Sequence, residues 1–346
     1  MVRGLALVAR MAAGADHAMK PYRLGLVIGK FAPLHLGHLA LIDHASCLSD
    51  RVLVLSWSNP ELPGCGPARR RRWLADCCPQ HEVVVFDGAG APPNDAPDVQ
   101  HQQHLAGLLR QLDRRPDAMF ASEPYVFPCA AVLAEAQGQP VRPEMFDPRR
   151  LQVPVSGTRV RERPGEMLRW LPPAVRADFV PRVVLLGGES TGKTTLAAAL
   201  AARFGGAPVA EYGRERWEAR GGHLDEPDLL AIAREQVRRE DLAARSADPV
   251  LVCDTSPLTT FGYAHWTHGR ADPALAELAE RRYTLSVLCG DEIPFDQDGT
   301  RRDAAFRARQ QAWYREQLAA RGDRHVEVRG TVPARVALVE RALAAL

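Results

Sequence analysis

Residues 23–38 read RLGLVIGKFAPLHLGH. The first seven, RLGLVIG, are a short apolar run ending in glycine, the pattern of a buried strand. His35 and His38 then stand three positions apart at the opening of a helix expected over about 37–49. A strand that passes through a glycine turn into a helix is the first step of a parallel α/β sheet. The theme repeats. RVLVLSWS (51–58), EVVVF (82–86) and DAMFASE (117–123) read as strands, and PARRRRWLADCC opens a helix with proline in its first turn. The polar, proline-rich loop GAGAPPNDAPD (88–98) precedes a helix over about 99–113, and LQVPVSGT (151–158) reads as a short strand or turn leading into another helix. Prolines then cluster in RPGEMLRWLPPAVRADFVPR (163–182), the candidate boundary. A second series follows: VVLLGG (183–188), residues 207–213, PVLVCD (249–254), LSVLCG (285–290) and HVEVRG (325–330), with helices near 193–204, 226–245, 302–320 and 333–345. The expectation is an extension over 1–21, parallel-sheet α/β domains over 22–165 and 182–346, and a linker over 166–181.

A length of 346 residues suits about two domains. Hydrophobic content of 46% and charged content of 25% fit a soluble globular chain. A net charge of +2 argues for neither a nucleic-acid nor a membrane partner. The seven cysteines include no CxxC pair, so they read as free thiols in a reducing cytoplasm. The N-terminal stretch faintly resembles a signal peptide, but Arg10 interrupts its apolar run, so it reads as a disordered extension, with a translation start at Met11 or Met19 as the alternative. Lysine stands only at positions 20, 30 and 193 among 44 Lys and Arg residues; the other 41 are arginine. In such a chain, lysine is expected mainly where a compact ammonium serves better than a planar fork.

Lys193 lies in GGESTGKT, which spans Gly187, Gly188, Glu189, Ser190, Thr191, Gly192, Lys193 and Thr194 and is followed by Thr195. This is the GxxxxGK[ST] phosphate loop, placed between an apolar strand and a helix as its chemistry requires. The loop's N–H groups and the helix N-terminus face the phosphates, Lys193 reaches the β/γ-phosphates, and the Thr194 hydroxyl takes Mg²⁺. A plain glycine-rich turn is the alternative. Asp254 ends the strand PVLVCD, where a carboxylate serves as Mg²⁺ partner or proton acceptor, or merely caps a helix. IPFDQDGTRR (293–302) reads either as a closing segment whose Arg301 or Arg302 stabilises a transferring phosphoryl group, or as a polar loop.

Lys30 lies in GKFAPLHLGH, between Gly29 and Phe31, with Gly37 inside the histidine pair. Imidazoles at i and i+3 share one side of a helical turn and can donate to one polyphosphate beside the Lys30 charge. Zinc competes for two close histidines, but no CxxC or HExxH pattern supplies further ligands. GxFxPxHxGH resembles the signature of the nucleotidyltransferase superfamily. Its second signature, SxTxxR, is matched by Ser156, Thr158 and Arg161.

With a phosphate-loop kinase behind it, the chain from about residue 22 resembles the bifunctional nicotinamide-nucleotide adenylyltransferase and ribosylnicotinamide kinase, the NadR family. Supporting stretches are RRRRW (69–73), FASEP (120–124), LLGGESTGKTT (185–195), EYGRE (211–215), DTSPLTT (254–260) and DGTR (298–301). The resemblance implies a Rossmann-like nucleotidyltransferase followed by a phosphate-loop kinase. The kinase would make nicotinamide mononucleotide from nicotinamide riboside and ATP. The first domain would join the mononucleotide to AMP from ATP, giving NAD and pyrophosphate. It implies that Lys30, His35 and His38 hold ATP phosphates, with Ser156, Thr158 and Arg161 completing the cradle. Arg70, Trp57 and Trp73 would serve the mononucleotide, each Trp as a stacking face for the cationic ring or as a core residue. Glu211, Tyr212 and Arg214 would face the riboside. The family usually has Asp, Trp and Asp where Ser256, Phe295 and Gln297 stand. No DNA partner is implied, since about 20 residues precede the first strand; a homo-oligomer is compatible. Two rivals share the motifs: a phosphopantetheine adenylyltransferase fused to a dephospho-coenzyme A kinase, and a NAD-sensing regulator with one weak site.

Overall fold

The computed structural model describes residues 19–295 and 303–346. Most of the expected extension, and the segment carrying Gln297, Arg301 and Arg302, lie outside the described residues. The chain divides into two units, one running to Arg161 and the other starting at Glu162.

In the first unit, β1 (Tyr22–Ile28) is the central strand of a five-stranded parallel sheet. It pairs with β2 (Ser49–Ser56) on one side and β4 (Ala118–Ala121) on the other. β3 (Glu82–Val85) and β5 (Arg142–Met145) form the edges, giving the order β3-β2-β1-β4-β5. Strands covered on both faces need apolar residues on both faces, which is why RLGLVIG reads as a continuous run. The crossovers are α1 (Leu36–Leu48), α2 (Pro67–Cys77), α3 (Asp98–Gln111) and α4 (Val126–Gln137), and the short α5 (Gly157–Glu162) follows β5. The core gathers Leu26, Leu53, Leu55, Met119, Leu105 and Leu133 between sheet and helices. Two elements are not apparent in the sequence pattern. β5 is RPEM, four residues with a proline that only an edge strand tolerates. Helix α4 carries Pro128 in its first turn, where the missing N–H costs nothing.

The second unit opens with α6 (Pro164–Met167), a 3₁₀ turn (Leu168–Trp170) and α7 (Pro173–Phe179), so the expected linker over 166–181 is largely helical. Its prolines start helices rather than interrupt structure. β6 (Arg182–Leu186) pairs with β7 (Leu251–Cys253) and β8 (Leu285–Cys289), and β9 (His325–Val328) completes a four-stranded parallel sheet in the order β7-β6-β8-β9. Residues 207–213 form no strand; Val209 makes a single parallel bridge to Cys253. Pro208 removes one ladder donor there, and α9 (Tyr212–Ala219) begins immediately after. The helices α8 (Lys193–Arg203), α10 (Glu226–Ala244), α11 (Pro257–His268), α12 (Pro273–Ala279), α13 (Ala304–Arg321) and α14 (Val332–Ala344) complete the unit.

All seven cysteines are free, five of them buried. Among the described residues no helix is long and apolar enough to cross a membrane. Lys20 caps α1, its ammonium donating to the Ser46 and Ser49 carbonyls at 2.6 and 3.1 Å.

Candidate active sites

The strand order of the first unit reverses direction at β1 and β4, and ligands of such sheets bind in the crevice beyond the strand C-termini. A cavity of about 730 Å³ opens there, lined by Gly29, Lys30, Phe31, His35, Gly37 and His38 from the first signature and by Ser156, Thr158 and Arg161 from the second. His35 is the N-cap of α1 and His38 its third residue, and the two close a reciprocal cap. The His38 N–H donates to His35 Nδ1, and the His35 N–H donates to His38 Nδ1, both at 3.3 Å. Their rings stack with centroids 3.6 Å apart. Each Nδ1 is thus an acceptor, so the ring proton of the neutral form sits on Nε2.

Burial holds both imidazoles in that form. It drives His35 down to about 3, with the Arg150 and Arg161 charges acting in the same direction. His38 lies well below its usual value through burial, then His35 and Arg150. The site therefore presents two neutral N–H donors beside fixed cations. A side chain on Gly37 would press on the His35 ring at 3.2 Å, which accounts for glycine inside the pair. Lys30 reaches the Asn94 carbonyl at 3.4 Å, and burial lowers its ammonium. Arg161 donates to the Ala32 carbonyl and, at 3.2 Å, to the Thr158 hydroxyl, tying the two signatures together. The Ser156 hydroxyl accepts from the Arg159 N–H and starts α5.

Trp57 lines this cavity, edge-on to His104 with centroids 5.5 Å apart. Trp73 does not: its ring is fully buried away from the cavity. Arg70 is also absent from the walls. It is 0% exposed and donates to the Ser56 hydroxyl at 2.7 Å and to Glu61, so it braces β2 against α2. The structure places Arg70 in packing and gives Trp73 the core position that was its other expected reading, because the phase of α2 turns both inward. Arg150 is a wall residue that the motif reading missed. It sits at φ 53° in a turn whose N–H groups at Leu151, Gln152 and Val153 all donate to the Asp147 carboxylate, and it pairs with Glu123 at 2.9 Å. The adjacent arginines of FDPRR were the available signal. Asn94, Asp98, His101 and Gln102 line the cavity as well.

The second unit holds a cavity of about 630 Å³ walled by Gly187, Glu189, Ser190, Thr191, Gly192, Lys193, Thr194 and Thr195. Gly187 has φ 138° and Gly192 φ 80°, conformations open to glycine and costly for other residues. The Lys193 ammonium donates to the Gly187 and Gly188 carbonyls at 3.0 and 2.9 Å. Gly188 itself does not line the cavity but turns its N–H toward α13. Asp254 is 3% exposed, just behind the wall residue Thr255. Burial raises its carboxyl, opposed by a bond from the Thr194 hydroxyl and by the Lys193 and Arg214 charges. Its Oδ1 has no hydrogen-bond partner among the described residues. Glu211 and Arg214 are wall residues; burial raises the Glu211 carboxyl while Lys193 lowers it.

Tyr212 is not on the wall. It packs under the Arg239 guanidinium, 4.5 Å from the ring centroid, and its N–H donates to Gln236. α9 begins at this residue and turns the ring toward α10. Ser256 is the N-cap of α11, and Phe295 lies beneath Arg307. Wall residues outside the quoted motifs include Trp217, Tyr263 and Gln310, and Thr259 of DTSPLTT joins them. Among the described residues no cluster of three or more His, Cys, Asp or Glu side chains is arranged to hold a metal ion.

Residues 182–335 match the family described as "AAA domain". The chain is 28% identical over 312 residues to the trifunctional NAD biosynthesis/regulator protein NadR of Escherichia coli (strain K12), covering 83% of this chain and 74% of that protein. The corresponding Salmonella typhimurium protein is 27% identical over 307 residues, with the same coverage. Two solved structures share the fold. NadR in complex with NR has a TM-score of 0.73 at 24% identity, covering 96% of this chain and 97% of that one. NadR in complex with NAD and AMP-PNP has a TM-score of 0.72 at 23% identity, covering 94% and 96%. The chain is thus similar to the NadR proteins along most of its length.

Proposed function

We propose that the chain is a bifunctional enzyme of NAD biosynthesis and salvage. The second unit phosphorylates nicotinamide riboside, and the first joins the resulting mononucleotide to AMP from ATP. The observation that carries this reading is the presence of two cavities, one in each unit and each walled by its own signature.

In the first cavity the mononucleotide phosphate attacks the α-phosphorus of ATP, and the α–β bond breaks to release pyrophosphate. No group on the protein need be covalently engaged, so its work is alignment and charge stabilisation. The Nε2–H groups of His35 and His38 donate to phosphate oxygens. Lys30, Arg161 and Arg150 offset the charge that builds on the leaving pyrophosphate. Trp57 offers a face for the cationic nicotinamide ring.

In the second cavity the riboside's primary hydroxyl attacks the γ-phosphorus, and ADP leaves. Lys193 exchanges its two loop carbonyls for phosphate oxygens. Glu211 is placed to take the hydroxyl proton, since a buried carboxyl with a raised pKa is the stronger base. The Thr194 hydroxyl and the orphaned Asp254 Oδ1 are hard oxygen donors that suit Mg²⁺. Bound there, Mg²⁺ would offset charge on the β- and γ-phosphates.

The test is direct. Purified protein with ATP and Mg²⁺ is given nicotinamide mononucleotide or nicotinamide riboside, and the products are separated chromatographically. NAD from the first and mononucleotide from the second are expected. Neither product, with turnover of phosphopantetheine and dephospho-coenzyme A instead, would overturn the substrate assignment.

A further inference from the structure

The phosphate loop carries backbone that does not hold itself: Gly187, Ser190 and Gly192 all have positive φ, and Ser190 at 57° has no glycine freedom. Three side chains from the last two helices, distant in sequence, take up its main-chain groups. The Gly188 N–H donates to Gln311 Oε1 at 3.1 Å, and the Glu189 N–H donates to Gln310 Oε1 at 2.9 Å. Gln311 is itself fixed, because its Nε2 donates at 2.9 Å to the carbonyl of Cys289 at the end of β8. Arg335 donates through Nη1 to the Thr191 carbonyl at 2.8 Å, through Nε to the Gly330 carbonyl at 3.1 Å, and through Nη2 to Glu292 at 2.8 Å. Gln310, Gln311 and Arg335 are 2%, 0% and 1% exposed.

We propose that Gln310, Gln311 and Arg335 are positioning residues that hold the phosphate loop in its nucleotide-binding shape before a nucleotide arrives. In a trans peptide the carbonyl and the following N–H point in opposite directions. Arg335, by holding the Thr191 carbonyl, therefore aims the Gly192 N–H away from itself and toward the cavity that Gly192 lines. Gln310 works on the earlier Gly188–Glu189 peptide in the same way. With the Glu189 N–H turned to Gln310, the Gly188 carbonyl faces the Thr191 hydroxyl and the Lys193 ammonium, at 2.8 and 2.9 Å. Two N–H groups of the loop are thus committed to α13, and the phosphates are met further along. Binding then pays little to order the loop.

The proposal rests on the kinase reading of this cavity, but its test does not need the riboside. ADP with Mg²⁺ is titrated calorimetrically into the full-length chain, and the KM for ATP and for riboside are measured beside it. Gln310→Met keeps the length and removes the acceptor; Gln310→Glu keeps the acceptor. The methionine variant should raise the ADP Kd and the ATP KM about tenfold, the effect of stranding one buried N–H. The glutamate variant, which keeps the acceptor but adds a charge near the phosphates, should weaken ADP binding less than the methionine variant does. Arg335→Lys, which keeps a donor for Thr191 but loses the flanking bonds, is the second arm and should weaken ADP binding by an intermediate factor. An unchanged ADP Kd in Gln310→Met or in Arg335→Lys, or equal weakening in both Gln310 variants, overturns the proposal. A parent chain that binds ADP tightly yet phosphorylates no riboside would overturn the kinase substrate and leave the positioning role standing.

Discussion

Replacing His38 separates its role in the fold from its role in chemistry. Its Nδ1 accepts the His35 N–H, and its own N–H donates to His35 Nδ1, so the pair closes the first turn of α1. Losing half of such a cap in His38→Ala should cost about 0.5–2 kcal/mol, a few degrees in Tm. The Nε2–H is a separate contribution. Removing one donor from a site that stabilises developing charge costs about 10²–10³ in kcat, or ~2.7–4 kcal/mol. His38→Gln distinguishes the two, because a glutamine at the third helical position can reach back to the N-cap N–H. It should restore the Tm but only part of the rate. The assay is NAD formation from ATP and mononucleotide at saturation, with the melting temperature alongside and riboside phosphorylation as the internal control. Recovery of rate and Tm together in His38→Gln would mean that alanine had merely displaced the loop. Loss of riboside phosphorylation in a folded His38→Ala would refute the assignment of two separate sites.

Three further outcomes are expected. Lys193→Ala should abolish riboside phosphorylation and leave adenylyl transfer unchanged; retained kinase turnover would remove the phosphate loop from that reaction. Acid should destabilise the first unit. His35 in the fold binds its proton only near pH 3, against about 6.5 when unfolded. Its stabilising contribution is therefore full above about 6.5 and is lost between there and 3, at up to about 1.4 kcal/mol per pH unit. A melting profile of His35→Gln that falls as steeply as the parent's in that window would contradict this. Trp73→Ala should cost about 3–5 kcal/mol of stability, whereas Trp57→Ala should chiefly raise the KM for mononucleotide; the reverse pattern in melting and kinetics would exchange their roles.

Much of this architecture was legible because parallel strands covered on both faces need unbroken apolar runs, and RLGLVIG, RVLVLS and VVLLGG supply them. The two phosphate motifs were legible because glycine, lysine and histidine at those spacings have few other uses. What escaped depended on tertiary context. RRRRW shows four arginines alike, yet Arg70 is buried against Ser56 while Arg69 and Arg71 remain exposed. Only helical phase against a known sheet distinguishes them. Trp57 and Trp73 are likewise equivalent as letters, and the loop after β2 and the phase of α2 decide which meets the cavity. Arg150 depends on the Asp147 carboxylate gathering three N–H groups to shape its turn, a non-local device with no periodic trace.

On the proposed reading both sites face the same problem, a polyphosphate at the end of a central strand, and meet it with different electrostatics. In the second unit the loop lysine and its neighbours meet phosphates that are to be transferred from the terminal position, and a carboxylate must stand close to accept a proton. Burial raises Glu211 and Asp254, keeping such groups basic. In the first unit the nucleophile is already an ionised phosphate, so no base is needed, and no carboxylate belongs to either signature. Protonated histidines would attract the incoming anion but would also bind pyrophosphate tightly after reaction. On that reading, holding His35 and His38 neutral through burial leaves donors for the transition-state charge without trapping the product. The cations that remain, Lys30, Arg150 and Arg161, each engage a protein acceptor: the Asn94 carbonyl, Glu123, and the Ala32 carbonyl with the Thr158 hydroxyl. On the proposed reading, those partners take the cations back as the phosphates leave, which favours product release.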